Sequence, residues 1–293
     1  MRRYTDADAY IQGLKVILTD GNEYTIRPLS RGELEGAMQE KTFLGEVYTK
    51  MYNLLEHNYD RIHAAKPNVS KNSAGYALWN VWDRTTFDLT KLFCGSQGTL
   101  GITTEITFRL IKPKQHACML VLFLRSLEPL VDITTKVLAY HPESFESYDD
   151  HTLSLALKLF PSFIKKLKTN AFSLGFQFIP EIKMILQGGL PKLILLAEFT
   201  GDSEQEVLAR AKAAENALAQ FGIKTRIASS AQEQNKYWTI RRESFNMLRN
   251  HIRGKRTAPF IDGFIVEPKD LPTFLPKLAI LLDKYDIDYT IAG

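Results

Sequence analysis

Two cysteines, Cys94 and Cys118, are all that this 293-residue chain contains. So few argue against a disulfide framework, and no Cys-x-x-Cys pair offers a zinc or iron–sulfur site. Long apolar runs are missing as well, since none approaches the roughly 18 residues that a membrane-spanning helix needs. The start, Met1-Arg2-Arg3-Tyr4-Thr5-Asp6, runs into charge without the apolar core of a secretion signal. A cytoplasmic compartment is expected, with contact to the inner face of a membrane at most peripheral. Charge of one sign is not in excess: 37 Lys and Arg against 33 Asp and Glu leave a net +4. A nucleic-acid binder concentrates basic residues far more, so nucleic acid is not an expected partner. The six histidines, His57, His63, His116, His141, His151 and His251, never stand at His-x-x-x-His spacing, and no metal is expected. Repeats and low-complexity segments are also lacking.

With 45% hydrophobic and 24% charged residues, a chain of this length can bury a core and fits two domains. Glycine is concentrated where it is most informative. Gly95, Gly98 and Gly101 fall within Leu92-Phe93-Cys94-Gly95-Ser96-Gln97-Gly98-Thr99-Leu100-Gly101-Ile102, directly before an alternating segment. Residues without a Cβ reach positive φ and let backbone N–H groups approach a flat or anionic ligand. Beyond the turn, Ile102, Thr104, Ile106, Phe108 and Leu110 are expected on one face of a strand, which anchors the turn to a sheet. A simple hairpin or bulge would also explain such a turn. Its order excludes two common readings: the nicotinamide fingerprint and the phosphate loop place their glycines after a strand and before a helix.

Ahead of the turn, residues 14–28 read as a hairpin around Asp20-Gly21-Asn22, and residues 32–65 as largely helical, followed by a loop at 67–72. A boundary is expected near Lys112-Pro113-Lys114. Beyond it, strands are expected at 117–124, 193–199, 223–227, 260–266 and 289–292, and helices at 127–140, 204–221, 238–248 and 271–284. The helix at 204–221 is the best written. Ser203 with Glu206 makes a capping box, Val207, Leu208, Ala211, Leu218 and Phe221 form one stripe, and Gly222 ends it. Strand and helix units of this length suit a ferredoxin-like, antiparallel sheet with helices on one face, and the whole an α+β fold.

Gly95-Ser96-Gln97-Gly98-Thr99-Leu100-Gly101-Ile102-Thr103-Thr104-Glu105 closely resembles a flavin-binding signature. It is that of the FAD-linked oxidases and dehydrogenases of the vanillyl-alcohol oxidase and p-cresol methylhydroxylase superfamily. Flavoprotein subunits of the D-lactate dehydrogenase and glycolate oxidase group are the nearest likeness, and they usually carry Glu where this chain has Gln97. Lys71-Asn72-Ser73-Ala74-Gly75-Tyr76 is similar to the segment preceding that signature. Ile240-Arg241-Arg242-Glu243-Ser244 and Ala258-Pro259-Phe260-Ile261-Asp262 resemble two cap-domain landmarks, in the same order. The likeness implies the second half of a p-cresol-methylhydroxylase-type FAD-binding domain at 1–112 and a cap domain at 113–293. The glycine-rich pyrophosphate loop that opens such domains has no counterpart here. Tyr289-Thr290-Ile291-Ala292-Gly293 resembles the strand leading into the family's catalytic histidines, so an internal fragment without catalytic residues, inactive alone, is expected.

The resemblance implies FAD as cofactor, held by Asn72, Gly75, Tyr76, Gly95, Ser96, Gln97, Gly98, Thr99, Gly101 and Ile102. It implies a small 2-hydroxy acid as substrate, of the D-lactate or glycolate type, with its carboxylate on Arg241. An electron acceptor follows as partner: a quinone, a cytochrome or an iron–sulfur protein. Other readings stand beside these. Arg241 could be a helix-surface arginine paired with Glu243 or a nearby acid, with Arg242 as the alternative in register. Asn72 could simply form a turn, Tyr76 fill a core, and Asp262 serve as a structural carboxylate. The stretch 160–190, basic and rich in phenylalanine, could lie on a membrane surface or pack within the cap. The protein as a whole could be a non-catalytic scaffold, or an FAD-dependent oxidase of an alcohol, an aldonolactone or an ether-linked glycerol.

Overall fold

A computed structural model of the chain describes residues 7–69, 72, 75–158, 189–251, 263–287 and 289, with 155–158 and 243–251 as backbone alone. The chain divides into two compact units, Tyr4–Lys112 and one containing Pro113–Gly293.

In the first unit the expected hairpin pairs β1 (Ile11–Ile17) with β2 (Glu23–Ile26), Leu14 opposite Ile26 and Val16 opposite Tyr24. Gly21 takes φ 81° at its tip, where the Asp20 carboxylate accepts the Asn22 N–H at 3.2 Å. A short ribbon joins β3 (Leu29–Ser30) to β4 (Thr86–Phe87). The helical stretch resolves into α1 (Arg31–Gln39), α2 (Phe43–His57) and α3 (Tyr59–Ala64). Ser30 and Glu33 cap α1 reciprocally, and the Thr42 hydroxyl caps α2 by accepting the Gly45 N–H at 3.0 Å. Leu14, Val16, Ile26, Leu34, Trp82 and Phe87 are buried in the core between them. Burying each such side chain contributes about 1.5–3 kcal/mol.

After the short helix α4 (Thr90–Phe93), β5 (Ile102–Phe108) joins β1 and completes a sheet of order β2-β1-β5. One expectation fails here. The register steps from Lys15 opposite Glu105 to Val16 opposite Thr103, so Thr104 is an extra, bulged residue. Ile106 pairs with Leu14 and Ile102 with Ile17. Leu14 and Ile17 are three positions apart on one strand, so Ile102 and Ile106 face opposite sides of the sheet. Every residue of β5 is exposed.

The second unit is built on an antiparallel sheet of order β7-β8-β6-β9, from β6 (His116–Leu124), β7 (Ser144–Asp149), β8 (Leu193–Gly201) and β9 (Lys224–Ala228). In chain order the strands lie 4-1-3-2, the ferredoxin-like arrangement. Leu120, Leu122, Leu195 and Phe199 on one face bury themselves against α5 (Leu130–Leu138) and α7 (Glu204–Ala217). Burial raises the Cys118 thiol pKa on this face, with nearby Glu204 and Glu233 adding to it. Helix α7 starts on Ser203, whose hydroxyl accepts the Glu206 N–H, but the Glu206 carboxylate accepts from Asp202 rather than closing the box on Ser203. A turn of 3-10 helix follows, ended by Gly222 at φ 58°. The last described helix, α9 (Leu271–Lys284), sets Leu275 against the same core.

β7 and the helix after it, α6 (Asp150–Lys158), had no counterpart in the sequence expectations. The strand expected at 260–266 is not formed where the chain is described, because residues 263–266 are irregular. Residues 259–262 with Asp262, residues 290–293, and 160–188 of the basic, aromatic stretch lie outside the described residues. Residues 117–124 of β6 and 193–197 of β8 are continuous apolar runs because both of their faces are covered. The second cover is α8 (Ala231–His251), a helical layer beyond the single one expected.

Candidate functional site

The glycine turn is assembled from α4 outward. The Asp88 carboxylate accepts the Thr90 N–H at 3.0 Å and its hydroxyl at 2.6 Å, fixing the helix start. After Phe93 the chain bends through Gly95 at φ 80°, Gln97 at φ 53° and Gly98 at φ 77°. The Ser96 N–H donates to the Phe93 carbonyl at 3.2 Å and the Thr99 N–H to the Ser96 carbonyl at 3.1 Å, so these two amides are committed inside the turn. Thr99 also gives its hydroxyl proton to the Ser96 carbonyl, at 2.6 Å. A hydroxyl has one proton, so the 2.6 Å bond between Thr99 Oγ1 and Tyr76 Oη is donated by Tyr76.

The three glycines differ in what they do. A Cβ on Gly101 would stand 2.7 Å from the Ile17 carbonyl oxygen, so Gly101 is required by the approach of the turn to β1. Gly95 and Gly98 have nothing within 4 Å of that place, and their conformation requires glycine while their outer side is open. A flat or anionic group can lie against such a concavity of amides, so the turn fits FAD. Ser96 is buried, Gln97 and Thr99 are exposed, and Ile102 is 66% exposed. Of the upstream segment, Tyr76 is brought to the turn, Gly75 takes φ 68° with open space around it, and Asn72 is half-buried. Lys71, Ser73 and Ala74 lie outside the described residues.

Arg241 lies in the other unit, on α8. This helix crosses the sheet and makes one polar tie to each strand in sheet order. Glu233 pairs with Arg226 of β9 at 2.7 Å, and Gln234 donates to the Ala117 carbonyl of β6 at 3.0 Å. Trp238 donates its indole N–H to Glu198 of β8 at 3.1 Å, and Arg241 Nη2 meets Glu146 Oε2 of β7 at 3.1 Å. Tyr237 and Ile240 are buried along the same helix. Burial opposes ionisation of Glu233, but the hydrogen bond and charge of Arg226 outweigh it, and its pKa lies below the ordinary value.

Arg241 is therefore turned toward the sheet, with its side chain 25% exposed and that of Glu146 13%. Its described acidic partner is Glu146; the Glu243 side chain lies outside the described residues. Arg242 is exposed, with its guanidinium 5.9 Å from the Trp238 ring centroid. Sequence reasoning missed Glu146, Glu198 and Trp238. Glu198 carried a signal, as the one charge inside an otherwise apolar strand, because such a charge needs a partner. Among the described residues no group of side chains could hold a metal ion, and no helix is long and apolar enough to cross a membrane.

Residues 113–293 match the model of the family described as FAD linked oxidases, C-terminal domain. A D-2-hydroxyglutarate dehydrogenase of Pseudomonas putida is 25% identical over 292 residues, covering 97% of this chain and 27% of that protein. Glycolate oxidase subunit GlcD of Escherichia coli is 25% identical over 253 residues, covering 83% of this chain and 43% of that subunit. The matched residues thus span about a quarter of the first relative's length and under half of the second's. Among solved structures, 4-ethylphenol oxidase from Gulosibacter chungangensis has the same fold, with TM-score 0.55 at 12% identity over 99% of this chain and 50% of that one.

Proposed function

We propose that this chain, which belongs to the FAD linked oxidase family, serves the oxidation of a small 2-hydroxy acid to its 2-oxo acid. Residues 1–112 act as part of the FAD-binding domain and residues 113–293 as the substrate-binding cap. Both relatives described above carry names of small hydroxy acids, D-2-hydroxyglutarate and glycolate. Glycolate and D-lactate, each with a single carboxylate, are the substrates proposed first. The observation that carries the reading is Arg241, whose side chain is 25% exposed and held by Glu146 on the sheet face of α8 within the family-matched domain.

Arg241 binds the substrate carboxylate, because a planar fork of donors matches two carboxylate oxygens and thereby orients the neighbouring hydroxyl carbon. In the first unit the amides of Gly95, Gln97 and Gly98 lie against FAD, since those of Ser96 and Thr99 are committed inside the turn. Gly101 and Ile102 carry that turn onto β5, and Tyr76 braces it through Thr99; Asn72 and Gly75 are proposed with them as FAD contacts. Bound there, FAD supplies the two-electron acceptor. A quinone, a cytochrome or an iron–sulfur protein then takes up the electrons. The test is dye reduction by the flavin-loaded polypeptide containing this chain, across glycolate, both lactates, D-2-hydroxyglutarate and the corresponding simple alcohols. Turnover with a hydroxy acid and none with its alcohol is expected; the opposite pattern would refute the reading.

A further inference from the structure

We propose that Glu146 is a positioning residue for the substrate carboxylate, acting through Arg241. The inference rests on the reading that Arg241 receives that carboxylate. The other three polar ties across the sheet fix where α8 lies, and so where the Cα of Arg241 lies. They do not fix its guanidinium, which sits at the end of a long side chain with many rotamers. Glu146 does. Its bond to Nη2 comes from β7, a different element, and both side chains are largely withdrawn from water, which strengthens a charge-assisted contact.

The neighbouring carboxylate does not compete for this role. Glu198 stands opposite Ser144 on the adjacent strand, and its two oxygens accept from Trp238 at 3.1 Å and from the Ser144 hydroxyl at 3.4 Å. Glu146 lies two residues along from Ser144, on the same side of β7. A guanidinium carries five N–H donors and one carboxylate engages at most two of them. Glu146 can hold the plane of the fork while a second carboxylate docks on it, so the arginine meets its substrate already oriented.

Steady-state kinetics of the flavin-loaded protein, with glycolate and D-lactate as probes, test this. Glu146→Ala should raise KM about tenfold or more while kcat stays within about threefold, the signature of a lost binding contact. Glu146→Gln keeps an oxygen acceptor for Nη2 and should bring KM back to within about threefold of the parent. An unchanged KM in Glu146→Ala, or equal defects in the two variants, would overturn the proposal. Where Glu146→Ala does not yield folded protein, Glu146→Asp replaces it, since one methylene less withdraws the acceptor. A raised KM is then expected, and an unchanged one overturns the proposal. Arg241→Ala separates the two readings. If it leaves KM unchanged, the assignment of Arg241 itself fails. If it raises KM while Glu146→Ala does not, only the role of Glu146 fails.

Discussion

The site where a Cβ would project from Gly101 lies 2.7 Å from the carbonyl oxygen of Ile17. A methyl group there must push the turn away from β1, whereas on Gly98 it meets open space and only the strain of φ 77°. Gly101→Ala should therefore destabilise the protein by about 1–3 kcal/mol, as overpacking does. Gly98→Ala should cost about 1 kcal/mol through its backbone alone. Denaturant midpoints of the two variants check this, and equal losses would contradict it.

Gly98 bears on the ligand more than on the fold. Gly98→Val should abolish flavin retention, because a branched side chain fills the open side of the turn while its neighbours in the core remain packed. Visible absorbance per mole of purified protein measures it. A variant as yellow as its parent would show that the turn does not face the cofactor.

Trp238 and Glu198 tie α8 to the sheet beside Arg241. Glu198→Ala leaves a partly buried indole N–H without its acceptor and should cost about 1–2 kcal/mol. Trp238→Phe should cost less on a Glu198→Ala background than alone, because the bond is already gone. A double-mutant cycle from equilibrium unfolding reads the coupling, and strictly additive losses would show that the bond contributes nothing.

Hydrogen bonds from the Ser30 hydroxyl, the Arg27 guanidinium and the Ser30 N–H lower the Glu33 pKa from 4.5 to about 2. In that interval the folded state binds fewer protons than the unfolded state, so stability rises with pH. The contribution is complete above pH 4.5 and is lost as pH falls toward about 2. Glu33→Gln should flatten the acid limb of the unfolding curve in that window. Salt should flatten it in the parent as well, since the pair with Arg27 is exposed. An acid limb identical in Glu33→Gln would refute this.

How much of this was legible in the sequence follows from the range of the forces involved. The hairpin at Asp20-Gly21-Asn22, the stripe of α7 and the apolar runs of β6 and β8 are written in local period and turn chemistry, and all formed. Ser144-Phe145-Glu146-Ser147-Tyr148-Asp149 has no such strong local pattern. It becomes β7 because β8, some 45 residues further on, offers an edge to pair with. Glu146 was invisible for that reason, and with it the partner of Arg241. The bulge at Thr104 was likewise hidden, since a one-residue slip is a property of two strands and not of one. At the turn, spacing identified the glycines, but only the packed structure separates Gly101, needed by β1, from Gly95 and Gly98, open to a ligand.

The measurement closest to the central claim is anaerobic mixing of the flavin-loaded protein with a 2-hydroxy acid, following the yellow absorbance, beside the same experiment with the matching 2-hydroxy amide. Oxidation of a hydroxy acid oriented by Arg241 predicts prompt bleaching by the acid, little by the amide, and slow bleaching by the acid in Arg241→Ala. Equal bleaching by acid and amide, or a flavin that stays oxidised with every hydroxy acid, would contradict it.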